Sequence, residues 1–153
     1  MKTVVLDKEI FENYLDENWN LRINWNIRIE GDIRINWYID ASGDIEASGN
    51  LEASENIVAW DKILAWWYLE AWKSIIAWEN IEAGWYILAS ENIDSWDNIE
   101  ASESIDSWGN IFSRGKIVAG WYIYAWNNLE AGWYIYAWND LEAGWYILAE
   151  KWS

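Results

Sequence analysis

The 153-residue chain contains no cysteine, no histidine and no proline. Without cysteine there are no disulfides, no thiolate nucleophiles and no cysteine-ligated zinc. Without histidine the side chain that normally titrates near neutrality is missing, and most acid–base and metal chemistry goes with it. Without proline nothing interrupts a backbone hydrogen-bond ladder. Basic residues are scarce: ten Lys and Arg stand against twenty-six Asp and Glu, a formal charge of −16. Such an imbalance repels phosphate instead of displacing its counterions, which argues against direct binding to nucleic acid or anionic lipid and favours a basic partner. The same charge keeps a chain with seventeen tryptophans in solution. Long apolar runs are also missing. The first residues, Met1 to Glu9, reach charge after a short apolar stretch, so neither a secretory signal nor a membrane span is expected, and a cytoplasmic location follows.

What the sequence does have is a period of six. From Asn20 to Lys151 it divides without a gap into twenty-two hexads, NLRINW, NIRIEG, DIRINW, YIDASG and so on to YILAEK. The second position is Ile or Leu in every one, and the fourth is Ile in the first three and Ala or Ser thereafter. Inward residues at positions two and four with a variable third position describe a short β-strand. A helix fails, because six residues advance it by about 240° and Ile39, Ile45, Leu51, Ile57 and Ile63 would scatter around it. Positions five, six and one mix Gly, Ser, Asn, Asp and Glu with Trp and Tyr, which suits corners between strands. The expectation is an all-β, single-domain β-solenoid with a capping segment over 1–19, the repeat over 20–151 and a tail at 152–153. The capping segment is expected to hold a short helix, with Asp7 as its cap, Ile10, Phe11, Tyr14 and Leu15 on one side, and Glu9 and Glu12 near its positive end.

Position three bears on the size of the coil. Alternate hexads from NIVAWD onward carry Leu64, Ile76, Leu88, Glu100, Phe112, Tyr124, Tyr136 and Leu148 there, and the intervening ones carry Val58, Glu70, Glu82, Asp94, Asp106, Val118, Glu130 and Glu142. This twelve-residue alternation favours a flattened coil of two rungs, with one apolar and one acidic row. A triangular coil of three rungs is the alternative, and copying of a twelve-residue unit produces the same pattern without setting the circumference.

Two candidate surfaces follow. Glu70, Glu82, Asp94, Asp106, Glu130 and Glu142 form the acidic row expected to bind a partner. Carboxylates about 4.8 Å apart repel by about 0.9 kcal/mol at water's dielectric, so an unbroken row hints at selection for negative surface, although a solvated face or unit copying explains it as well. Phe112, Tyr124, Tyr136 and Leu148, flanked by Trp126 and Trp138, form an apolar patch of the residue types that anchor interfaces. Most tryptophans at corner positions read as a stacked ladder. Arg22, Arg28 and Arg34 occupy one position in the first three hexads and are expected to pair with Glu30, Asp32 or the acidic N-terminal segment. Asp44, Asp94 and Asp97 lack calcium-loop spacing, no cofactor is called for, and a uniform repeat without a singular pocket points to no enzyme and no catalytic residues.

The Ile-x-Ala hexads resemble β-solenoid repeat families and are related in kind to the hexapeptide and pentapeptide repeat proteins. The order differs from hexapeptide acyltransferases, in which the small inward residue precedes the aliphatic one, whereas Ala41 here follows Ile39. The acidic rod of coils resembles pentapeptide-repeat proteins that imitate DNA and inhibit DNA-handling enzymes. That resemblance implies a non-catalytic inhibitor of phage or mobile-element origin, anti-CRISPR-like or topoisomerase-inhibitor-like, bound to a basic nucleic-acid-binding protein. The alternatives are an aromatic-rich carbohydrate-binding solenoid and a self-assembling structural one. The last hexad carries little that is polar beyond it, so a homodimer through the C-terminal coils or the aromatic face beside them is also expected.

Overall fold

A computed structural model describes residues 3–6 and 11–149. The hexads wind into an all-β parallel solenoid of about seven coils with three faces. The first face stacks Leu21–Ile23, Ile39–Ala41, Ile57–Ala59, Ile75–Ala77, Ile93–Ser95, Ile111–Ser113, Asn128–Ala131 and Tyr146–Ala149. The second runs from Thr3–Leu6 and Asn26–Ile29 through Ile45–Ala47, Ile63–Ala65, Ile81–Ala83, Ile99–Ala101 and Ile117–Ala119 to Ile135–Ala137. The third runs from Ile33–Ile35 through Leu51–Ala53, Leu69–Ala71, Ile87–Ala89, Ile105–Ser107 and Tyr122–Ala125 to Asp140–Ala143.

Each repeat strand pairs with the one eighteen residues away, as in Leu69↔Leu51 and Leu69↔Ile87. The coil therefore holds three hexads, and the favoured two-rung coil gives way to the triangular alternative. The physical reason lies inside. From the fourth hexad on, each rung is thick at position two and thin at position four, so three large side chains fill the centre of a triangle while the small ones line the path toward each corner. Ile39, Ile57, Ile75, Ala41, Ala59 and Ala77 are fully buried. The outward position-three side chains, from which the two-rung coil was inferred, touch none of this interior and do not set its circumference.

Corners are held by an unforeseen ladder at position one. Oδ1 of Asn80 accepts the Asn98 N–H, Oδ1 of Asn98 accepts the Lys116 N–H, and the same relation links Asn92 to Asn110 and Asn110 to Asn128. Inward serines add a second device. Ser107 Oγ donates to the Glu91 carbonyl at 2.5 Å and accepts the Gly109 N–H at 3.1 Å, so a buried hydroxyl replaces alanine without an unsatisfied group.

The N-terminal segment is also corrected. Thr3–Leu6 is a strand that pairs in parallel with Asn26–Ile29, placing Leu6 in the core, and Phe11–Tyr14 is a single 3-10 turn. Asp7, Glu9 and Ile10 of the expected helix lie outside the described residues. The β-branched run Thr3-Val4-Val5 favours a strand, and it pairs the edge that the first rung of this face would otherwise present.

Candidate interaction surface

Closing the coil at an odd number of rungs changes what the predicted residues build. Glu70, Asp106 and Glu142 lie on the third face, Glu82 on the second, and Asp94 and Glu130 on the first. Phe112 and Leu148 share the first face, whereas Tyr124 is on the third and Tyr136 on the second. Trp126 and Trp138 sit at the corners that follow the third and second faces. Neither the acidic set nor the aromatic set forms a single row.

Instead, an alternation with a period of two rungs is wound on a coil of three, so acidic and apolar residues alternate up a face. The third face reads Leu88, Asp106, Tyr124, Glu142, and the first reads Asp94, Phe112, Glu130, Leu148. Like charges then stand about 9.6 Å apart, and their repulsion at water's dielectric falls to about 0.4 kcal/mol. The twelve-residue period thus spaces charge along each face. The rule is broken at Glu52–Glu70 and Glu82–Glu100, which are direct neighbours. Burial pushes the Glu70 carboxyl above the usual carboxylate range, and the adjacent Glu52 adds to it. Burial alone pushes Asp94 and Asp106 upward.

Several acids are paired across coils. Lys62 meets Glu46 at 2.6 Å, Lys73 meets Glu55 at 2.5 Å and Lys116 meets Glu100 at 2.9 Å. Arg22 and Arg34 reach Asp40 and Glu52 at 3.4 and 3.6 Å, not Glu30 or Asp32. The three arginines fall one to a face in the first coil, so they do not stack on one another.

The corner after the first face holds a stacked tryptophan column of the kind expected at corners, and beside it an acidic column that the hexad reading missed. Trp60, Trp78 and Trp96 lie over one another, with ring centroids 5.1 and 4.9 Å apart and interplanar angles of 3° and 8°. In the next coil the guanidinium of Arg114 takes the tryptophan's place, 3.7 Å from the Trp96 centroid. Immediately after each tryptophan comes an acid, so Asp61, Glu79 and Asp97 occupy equivalent corner positions in three successive coils, and Glu79 N–H donates to the Asp61 carbonyl. Among the described residues no ion pair involves these three acids. The signal was in the sequence as Trp-acid pairs spaced by eighteen, obscured because Trp66 and Trp72 fill the same hexad position on the other two corners. Trp108 and Trp126 stack at a third-face corner, 6.1 Å apart.

Among the described residues no cluster of three or more acidic side chains is arranged to hold a metal ion, and no helix is long and apolar enough to cross a membrane. Against protein-family models, curated proteins and solved structures, the chain matches none.

Proposed function

We propose that this solenoid is an acidic rod that occupies the nucleic-acid groove of a basic protein and so blocks it, in the manner of the pentapeptide-repeat proteins that its coils resemble. The observation that carries the reading is linear charge density. Residues 20–149 hold twenty acids and seven bases, a net −13. Eight strands on the first face at about 4.8 Å spacing span about 34 Å, or one net charge per about 2.6 Å. Duplex DNA presents one per about 1.7 Å of its axis, so the two rods are within a factor of two. Charge on all three faces, instead of on one acidic row, presents negative potential whichever way the rod lies in a groove. The Asp61, Glu79 and Asp97 column, without an ion pair among the described residues, supplies its most regular charge spacing.

Displacement of a fluorescent duplex from purified nucleic-acid-binding enzymes, including a topoisomerase and an RNA-guided nuclease, tests this. Competition with at least one enzyme is expected, weakening as salt rises, and the triple variant Asp61→Asn, Glu79→Gln, Asp97→Asn should compete at least several-fold less well. Failure to displace duplex from any of them, or equal competition by a flexible polyglutamate of the same net charge, overturns the reading.

Carbohydrate binding is less well supported. At the tryptophan ladder a sugar ring would need a free aromatic face, whereas Trp78 has a ring stacked on each side and Trp96 lies between Trp78 and Arg114.

A further inference from the structure

On the corner between the second and third faces, four successive coils place Trp67–Tyr68, Trp85–Tyr86, Glu103–Ser104 and Trp121–Tyr122 at the same two positions. In the first pair of coils the rings form a column. Tyr68 and Tyr86 stack at 4.4 Å and 19°, and Trp67 meets Trp85 edge-on at 5.2 Å. In the third coil both rings are gone. The backbone continues without a break, since Glu103 N–H donates to the Trp85 carbonyl at 2.8 Å, Trp121 N–H to the Glu103 carbonyl at 2.7 Å and Ile87 N–H to the Ser104 carbonyl at 2.9 Å. The rings skip a coil that the main chain does not.

The result is a cleft of about 540 Å³ lined by Tyr86, Glu103, Ser104, Asp106, Trp121 and Tyr122, with part of the neighbouring Ile87 and Leu88 strand. Residues two coils apart are about 9.6 Å apart, which leaves the thickness of one planar group between the aromatic layers. The lining also fixes the charge of what enters. Glu103 and Asp106 are acidic, and among the described residues neither takes part in an ion pair. Oδ1 of Asp106 is buried without a hydrogen-bond partner, and its row neighbours are Leu88 and Tyr124. A carboxylate oxygen withdrawn from water with no partner is costly, and a cation beside the half-buried carboxylate offsets that cost.

A planar cation is what this chain already uses to continue an aromatic column, for Arg114 follows Trp96 in the tryptophan ladder. Guanidinium is flat, weakly hydrated and permanently charged, whereas an ammonium has no face to stack. We propose that the gap at Glu103–Ser104 is a binding slot for the guanidinium of an arginine side chain from a basic partner, stacked between the Tyr86 and Tyr122 layers with Glu103 and Asp106 as its counter-charges. This deepens the reading of a basic partner and rests on it for the source of the arginine.

The test is titration of the intact protein with a capped peptide bearing one arginine, followed by NMR shifts, beside the same peptide with lysine and with citrulline. The arginine peptide is expected to shift Ser104, Trp121 and Tyr122 and to bind at least fivefold more tightly than either control. Ser104→Tyr should complete the column, as tyrosine already does at 68, 86 and 122, and abolish the shifts. Asp106→Asn should weaken binding at least threefold while the protein remains folded, which keeps the test decisive if Ser104→Tyr does not fold. Equal binding of the lysine or citrulline peptide, shifts centred elsewhere, or undiminished binding in either folded variant overturns the slot. Duplex displacement that persists when the arginine peptide fails leaves the rod standing without the slot. Peptide binding without displacement leaves the slot and removes the rod.

Discussion

Oδ1 of Asn80 accepts two hydrogen bonds from Asn98 in the next coil, one from its backbone N–H at 3.1 Å and one from its side-chain Nδ2 at 3.0 Å. One asparagine thus satisfies a corner amide that no strand partner reaches. Asn80→Ala removes the acceptor and should cost about 1–3 kcal/mol in urea unfolding. Asn128 is the control: its Oδ1 is buried and accepts nothing from the described residues, so Asn128→Ala should cost less. Equal losses at the two sites would show that the ladder contributes nothing to stability.

A second contrast separates two inward serines. Among the described residues the Gly109 N–H is bonded to Ser107 Oγ alone, whereas the Gly115 N–H also reaches the Asp97 carbonyl at 2.8 Å, beside its 3.1 Å bond to Ser113 Oγ. Ser107→Ala strands a buried donor and should cost about 1–3 kcal/mol, and Ser113→Ala should cost less because its donor keeps a partner. Thermal unfolding of the two variants side by side reads the difference.

Trp78 is stacked on both sides, and Trp66, the more exposed at 66%, has no stacked ring among the described residues. Trp78→Ala should therefore cost about 1–3 kcal/mol for two ring contacts beyond any lost burial. It should also abolish much of the aromatic exciton band in circular dichroism, while Trp66→Ala leaves both nearly unchanged. An intact exciton band in the Trp78 variant would place its origin in other pairs.

Asp94 and Asp106 give a dependence on pH. Burial raises both carboxyls in the folded protein, so the folded state holds protons that the unfolded state has released just above the ordinary carboxylate range. Stability from these groups falls as pH rises through that interval and is recovered on acidification. Asp94→Asn and Asp106→Asn should therefore unfold at higher temperature than the parent at pH 7, with the advantage shrinking once the parent's carboxyls are protonated. A variant less stable than the parent at pH 7 would show that the charged form has a stabilising partner.

The strand and its inward face were legible in the hexad, because Ile39 and Ala41 announce a core through local alternation alone. Circumference was not, since it depends on which rungs meet across the interior, and position three reports only on the outside. The information sat at the corners. Trp60, Trp78 and Trp96, each followed by an acid, repeat by eighteen, and a residue at a corner stacks on its equivalent one coil away. The acidic row failed for the same reason, for Glu70, Glu82 and Asp94 are successive in the alternation yet lie on three different faces. At the N-terminus, Thr3 to Leu6 was read as an apolar run too short for a membrane, when its β-branched residues suit the edge strand it forms. The slot at Ser104 could not be seen until the coil was closed, because only then do Tyr86 and Tyr122 flank it.

Winding a two-rung alternation on a three-rung coil also determines how such a chain tolerates insertion and deletion. Six added residues turn everything downstream onto the next face without opening the helix of coils. They also reverse the order of acid and apolar rungs at the junction, so like charges meet where they had been kept apart. Eighteen residues, a whole coil, do the same, because three is odd. Twelve leave the succession intact at every point, even though every downstream rung changes face. The shortest change of length that this architecture absorbs without electrostatic penalty is therefore two-thirds of a turn, and a lineage of such rods would be expected to differ from one another in steps of twelve.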